Sequence, residues 1–163
     1  MNSCNAWDLE TGNPETVVAI CDTGVRTTHT DLQLHRKEGF NAVSNTWESN
    51  GGAINDINGH GTACTGCPAA NGDNGKGISG VGWHFGHRIM RVTNSSNGSA
   101  SLSDPTQAAR LASDGGDKVA SVSSIGVPSG SVSTPAGCVR GTGARPVRAA
   151  GHAGARLRRH HPP

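Results

Sequence analysis

Val17-Val18-Ala19-Ile20-Cys21 is a short, largely β-branched apolar run that passes directly into Asp22-Thr23-Gly24. A run of this length, polar on both sides and closed by a turn signal, has the pattern of a strand buried on both faces. Such a strand needs cover above and below, which points to a sheet between layers of helix. It also leaves a carboxylate at a strand's carboxyl end, where open α/β sheets carry their functional groups.

The rest of the chain repeats the alternation. Residues 60–70 set Ala, Cys and Thr at helical spacing, with Asn71-Gly72 as the expected stop. Ile89–Val92 is a second short strand. Residues 103–113 form a helix capped by Ser103, with Ala108, Leu111 and Ala112 on one face. Lys118–Val122 is a third strand and Pro146–Ala150 a fourth. Residues 27–35 read as a turn, 41–59 as an Asn-, Ser- and Gly-rich surface loop with room for one short strand, and 71–82 as a glycine-punctuated loop. The expected architecture is therefore α/β, three-layered, with a mostly parallel sheet and helices on both faces.

Composition agrees. The 163 residues suit one domain with a real core. With two Phe, no Tyr and 24 Gly, that core must be built from small residues and tight turns. Charge is uneven: residues 1–138 carry eight Lys/Arg against twelve Asp/Glu, a net −4, whereas residues 139–163 carry six Arg and no acid, a net +6. The chain thus divides into 1–138 and an Arg/Gly/Pro-rich segment 139–163. That segment has no aromatic residue for base stacking, so nucleic acid is not an expected partner. No apolar run approaches membrane-spanning length, and none at the polar amino terminus reads as a signal peptide. Five cysteines at irregular spacing are not a disulfide framework.

The chemistry-bearing residues are Asp22 and, 38 positions on, the His60 of Asn58-Gly59-His60-Gly61-Thr62. An aspartate at a strand end and a histidine between glycines at a helix start are two members of a charge-oriented nucleophile system. Taken singly, Asp-Thr-Gly is equally a turn and His60 equally a capping residue.

Together these stretches resemble the subtilisin-like serine proteases. Val17–Leu32 is similar to the family's aspartate region, with His29-Thr30-Asp31-Leu32 as its second element. Asn58–Gly66 is similar to the histidine region, Gly75–Val92 to the glycine-rich loop and following strand, and Lys118–Gly126 to the strand lining the substrate cleft. The ordered set covers about residues 5–130 and weakly continues to about 155. The resemblance implies the amino-terminal part of a catalytic domain, serine endopeptidase activity on extended polypeptides, and a secreted protein. Asp22 would orient His60, and His60 would shuttle the proton. Gly59 and Gly61 would let backbone pack closely around the ring. Ser121, Ser123 and Gly126 would line the substrate. Asp31 and Asn74, with backbone near Lys76 and Ile78, match a structural calcium site of some members. No cofactor is otherwise required. His152 in Ala149-Ala150-Gly151-His152 stands where the family has its oxyanion-binding asparagine. Loss of one such donor costs about 10²–10³ in turnover, a value measured on subtilisin itself.

One member is missing. Gly-Thr-Ser-x-Ala, the nucleophile segment of the family, does not occur: Gly61-Thr62 leads to Ala63 and Gly141-Thr142 to Gly143, and the last serine, Ser133, precedes His152. In subtilisin, removing the serine alone lowers turnover about 10⁶-fold, so this chain by itself is expected to be inactive. Two other functions compete: a non-catalytic peptide-binding remnant, and a redox or metal protein built on Cys64-Thr65-Gly66-Cys67. Zinc at that pair would need help from His60 and from Cys21 or His29. Two small cysteines buried between helix and sheet is the plainer expectation.

Overall fold

The computed structural model describes residues 3–101, 103–122 and 139–140, with the backbone alone for 119–122 and 139–140. The elements in chain order are α1 (Ser3–Trp7), β1 (Val17–Asp22), β2 (Arg36–Asn41), β3 (Thr46–Trp47), a 3₁₀ turn at Glu48–Asn50, α2 (His60–Ala69), β4 (Gly86–Arg91), α3 (Ser103–Asp114), β5 (Val119–Val122) and β6 (Val139–Arg140). They form one six-stranded sheet in the order β3-β2-β4-β1-β5-β6. The contacts of β1 with β4 and β5, and of β2 with β4, are parallel; the short outer strands β3 and β6 are antiparallel.

The apolar run behaves as its composition requires. β1 lies inside the sheet, with Ile20 opposite Ile89 of β4 on one side and opposite Ser121 of β5 on the other. Its side chains alternate between two cores. Ala19 and Cys21 pack with Phe40, Met90 and the Ala108 and Ala112 of α3. Val18 and Ile20 pack with Val25, Leu32, Ile54, Ala70 and Ile89, against which Cys64 of α2 also rests. The two helices therefore cover opposite faces. Ala108 and Ala112, one turn apart and both buried, let α3 lie close to β1.

Several elements depart from expectation: α1 and β6 lie where no element is expected, and β4 runs from Gly86 to Arg91 rather than from Ile89 to Val92. β2 was not anticipated, because Arg36-Lys37-Glu38 reads as a solvated charge run. Those residues are only half-buried or exposed, and the apolar signal is confined to Phe40 at the strand's end. Arg36 is held in the strand by Glu48 at 2.7 Å. α2 ends at Ala69, one residue short of the expected 70: Ala70 donates its N–H to Gly66 O but its own backbone has turned extended, with ψ 138°. The open carbonyls of its last turn are taken up by a passing loop: Val81 N–H donates to Cys67 O and Gly82 N–H to Pro68 O. The third strand starts at Val119 rather than Lys118. The expected strand at Pro146–Ala150 lies outside the described residues. Among the described residues no helix is long and apolar enough to cross a membrane.

Candidate active site

β1 delivers Asp22 at its carboxyl end, fully buried, and the turn that follows brings the chain back beneath the start of α2. α2 begins at His60. Gly59 before it has φ +100°, a conformation open to glycine at little cost, and a side chain added there would meet nothing within 4 Å. Gly61 after it is needed for the opposite reason: a Cβ there would lie 2.2 Å from the Gly24 carbonyl oxygen. The expectation that both glycines permit close packing thus holds for Gly61, whereas Gly59 supplies the turn.

Asp22 and His60 meet. His60 Nδ1 lies 2.9 Å from Asp22 Oδ1 and 3.0 Å from Oδ2. An ionised carboxylate only accepts, so Nδ1 carries the proton and donates it, which fixes the tautomer and leaves Nε2 with its lone pair. Asp22 Oδ1 also accepts the Thr23 N–H at 2.7 Å. The His60 side chain is 47% exposed while that of Asp22 is 0% exposed, so the ring has one edge on a buried anion and the other toward solvent. In that arrangement the imidazole can take a proton at Nε2 while the carboxylate stabilises the resulting cation.

Cys64, one helical turn on, lies with its Sγ 3.6 Å from Nδ1 and 3.7 Å from Nε2 of His60. Near-equal distances to both nitrogens put the sulfur over the ring face, off the lone-pair direction of either nitrogen. Cys67 is exposed, contrary to the expected burial of the pair, and Cys64 is half-buried. Among the described residues the one group with metal-ligand spacing is Asp22, His60 and Cys64. Neither Cys67 nor His29 belongs to it.

Asp31 and Asn74 also come together. Asp31 is buried; its Oδ1 accepts Asn74 Nδ2–H at 2.7 Å and its Oδ2 the Ile78 N–H at 3.1 Å. Asn74 Oδ1 in turn accepts the Lys76 N–H at 3.0 Å. Each side-chain oxygen of Asp31 and Asn74 thus accepts one N–H, and Asp31 is the one carboxylate of the pair. These hydrogen bonds close the 74–78 loop onto Asp31.

Of the substrate-lining candidates, Ser121 sits in β5, its backbone opposite Ile20. The far side of β5 is partly taken, since Val119 pairs with Arg140 and Ala120 with Val139. The edge expected for an extended peptide is therefore already paired at those two positions. Ser123, Gly126 and the oxyanion candidate His152 lie outside the described residues.

The subtilase family model matches residues 13–154. This chain belongs to the subtilase family. It is 35% identical over 118 residues to a thermophilic serine proteinase of Bacillus sp. (strain AK1), covering 72% of this chain and 28% of the relative. Thermitase of Thermoactinomyces vulgaris is 36% identical over 118 residues, covering 72% and 40% of the two chains. The major intracellular serine protease of Bacillus subtilis (strain 168) is 42% identical over 85 residues, or 50% and 25%. Among solved structures, the psychrophilic subtilisin-like protease Apa1 of an Antarctic Pseudoalteromonas sp. AS-11 superposes with TM-score 0.55 at 27% identity, over 73% of this chain and 26% of that one. The chain spans well under half the length of these subtilases. Both Asp22 and His60 fall within the matched region, as do the 74–78 loop and β5.

Proposed function

We propose that this chain carries the acid–base half of a serine endopeptidase: Asp22 holds Nδ1–H of His60, and His60 Nε2 removes the proton from a serine hydroxyl as it attacks a peptide carbonyl. The same nitrogen returns the proton to the departing amine. The observation that carries this is the 2.9 Å bond between a fully buried carboxylate and a half-exposed imidazole, in a subtilase whose similar relatives are named proteinases and proteases. The substrate would be an extended polypeptide, bound along β5 from Ser121 onward by main-chain hydrogen bonds. No step requires a metal. Family membership leaves the compartment open, because one relative is by name intracellular.

The nucleophile segment does not occur in these 163 residues, so the polypeptide alone hydrolyses peptides no faster than its His60→Ala variant. A chromogenic peptide assay of both proteins checks this, and His60-dependent turnover would refute it. The pairing itself is read by proton NMR. Wild type should show a deshielded, exchange-protected Nδ1–H on His60 that disappears in Asp22→Asn; its persistence there would mean that another group holds the ring.

A further inference from the structure

Asp56 is assigned no role by the motifs, yet more hydrogen bonds converge on it than on Asp22. Its Oδ1 accepts the Thr23 hydroxyl at 2.8 Å, the Asn58 N–H at 3.0 Å and the Gly59 N–H at 2.9 Å. Its Oδ2 accepts the Thr62 N–H at 2.8 Å and the Thr62 hydroxyl at 2.5 Å. These donors fall into two groups. Asn58, Gly59 and Thr62 bracket His60 on both sides along the chain, while Thr23 directly follows Asp22. The Thr23 hydroxyl, besides donating to Asp56, accepts the Gly61 N–H at 2.9 Å. Asp56 is itself fixed from the β1 side, its N–H bonded to Val25 O at 3.0 Å and Val25 N–H to Ile54 O at 2.9 Å.

We infer that Asp56 is a positioning residue that clamps the His60 turn onto the end of β1 and so sets the Asp22–His60 distance. This rests on the acid–base function proposed above. The chemistry suits the task. A carboxylate offers two oxygens with about four lone-pair directions, enough to gather the open N–H groups of a helix start and a hydroxyl from another element at once. Bonds to a charged acceptor are stronger and shorter than neutral ones. A negative group at the start of α2 is also favoured by the helix dipole. Burial pushes the Asp56 carboxyl up, but the hydrogen bonds from Thr62, Gly59 and Asn58 outweigh it and hold it at about 2, so the clamp stays ionised at neutral pH. The connection between the two catalytic candidates is short: Asp22 to Thr23 by the chain, Thr23 to Asp56 by a hydroxyl, and Asp56 to both flanks of His60.

The test compares the full chain with its Asp56→Asn and Thr23→Val variants by NMR hydrogen exchange. The Asp56→Asn change keeps the shape but turns an N–H₂ toward groups that themselves donate; the Thr23→Val change removes only the bridging hydroxyl. Both variants should speed exchange of His60 Nδ1–H about tenfold or more, while the Ile20 and Met90 amides in the central strands keep their rates. A purely structural role for Asp56 predicts faster exchange at the Gly59 and Thr62 amides with His60 Nδ1–H unchanged, and that result overturns the inference. If Asp56→Asn loosens the central strands as well, Thr23→Val decides, since it leaves every backbone bond to Asp56 in place. Absence of a protected Nδ1–H in wild type would instead refute the Asp22–His60 pairing itself.

Discussion

Two buried aspartates of this chain, Asp22 and Asp31, are equally hidden from water and meet opposite kinds of partner. Asp31 is ringed by donors that cannot change state: a side-chain amide from Asn74 and a backbone N–H from Ile78. Asp22 receives one fixed backbone N–H, from Thr23, and turns its remaining capacity to an imidazole that is half in solvent. Burial therefore does not distinguish a structural carboxylate from a functional one. What distinguishes them is whether the partner can gain a proton and reach a third molecule.

The largest effect should come from truncating the structural carboxylate. Asp31→Ala leaves the Asn74 amide and the Ile78 N–H without their acceptor inside a tight loop, so urea unfolding should show a loss of about 2–3 kcal/mol. Asp22→Ala should lose less, because its main partner can turn to water. Equal losses would erase the difference between the two sites.

Next in size is a pH effect confined to the Asp31 side. His87 is fully buried and its Nε2 lies 3.0 Å from the Leu32 carbonyl, next to Asp31 in the chain. Burial holds its affinity for a proton below the ordinary histidine value of 6.5, and nearby Arg36 and His35 act in the same direction against the carbonyl bonds. A folded value below the unfolded one means that protons bind the unfolded state preferentially. Stability should be flat above about pH 7 and fall as pH drops through and below 6.5. Urea midpoints at pH 8 and pH 5 check this; a His87→Gln variant, which does not titrate, should show a smaller drop between them. No smaller drop would place the sensitivity elsewhere, His35 being the next group lowered by burial.

The smallest expected effect is none at all. Because Asp31 and Asn74 are already engaged by N–H donors, adding calcium or a chelator should leave the thermal midpoint unchanged. A rise with calcium that vanishes in Asp31→Asn would show that the loop reorganises around the ion.

The contrast between the two aspartates was half legible in the amino-acid sequence. Asp22 announced itself because an apolar run makes a strand, and a strand end places its next polar residue at the rim of the sheet. His60 followed from its glycines. Asp31 and Asn74 are paired by resemblance, but hydrogen-bond directions are not a property of spacing, and the closure of the loop onto Asp31 is seen only in the structure. β2 escaped because its charged start is stabilised by Glu48 and its neighbours in the sheet rather than by apolar periodicity. Asp56 escaped for a related reason. Asp56-Ile57-Asn58-Gly59 reads as an ordinary turn, and its link to Thr23 spans 33 residues of sequence.

The placement of β1 has one more consequence. Parallel ladders grip the strand on both sides up to Cys21 and Asp22, so Asp22 cannot shift without tearing two rows of hydrogen bonds. His60, at the start of a ten-residue helix, is tied to the same strand end by side-chain hydrogen bonds instead, those of Asp56 and Thr23 to its flanks. Whenever the separation of the two groups has to adjust as a proton moves, the adjustment falls on the histidine side chain and on those bonds rather than on the strand. The acid is the fixed jaw and the ring the moving one.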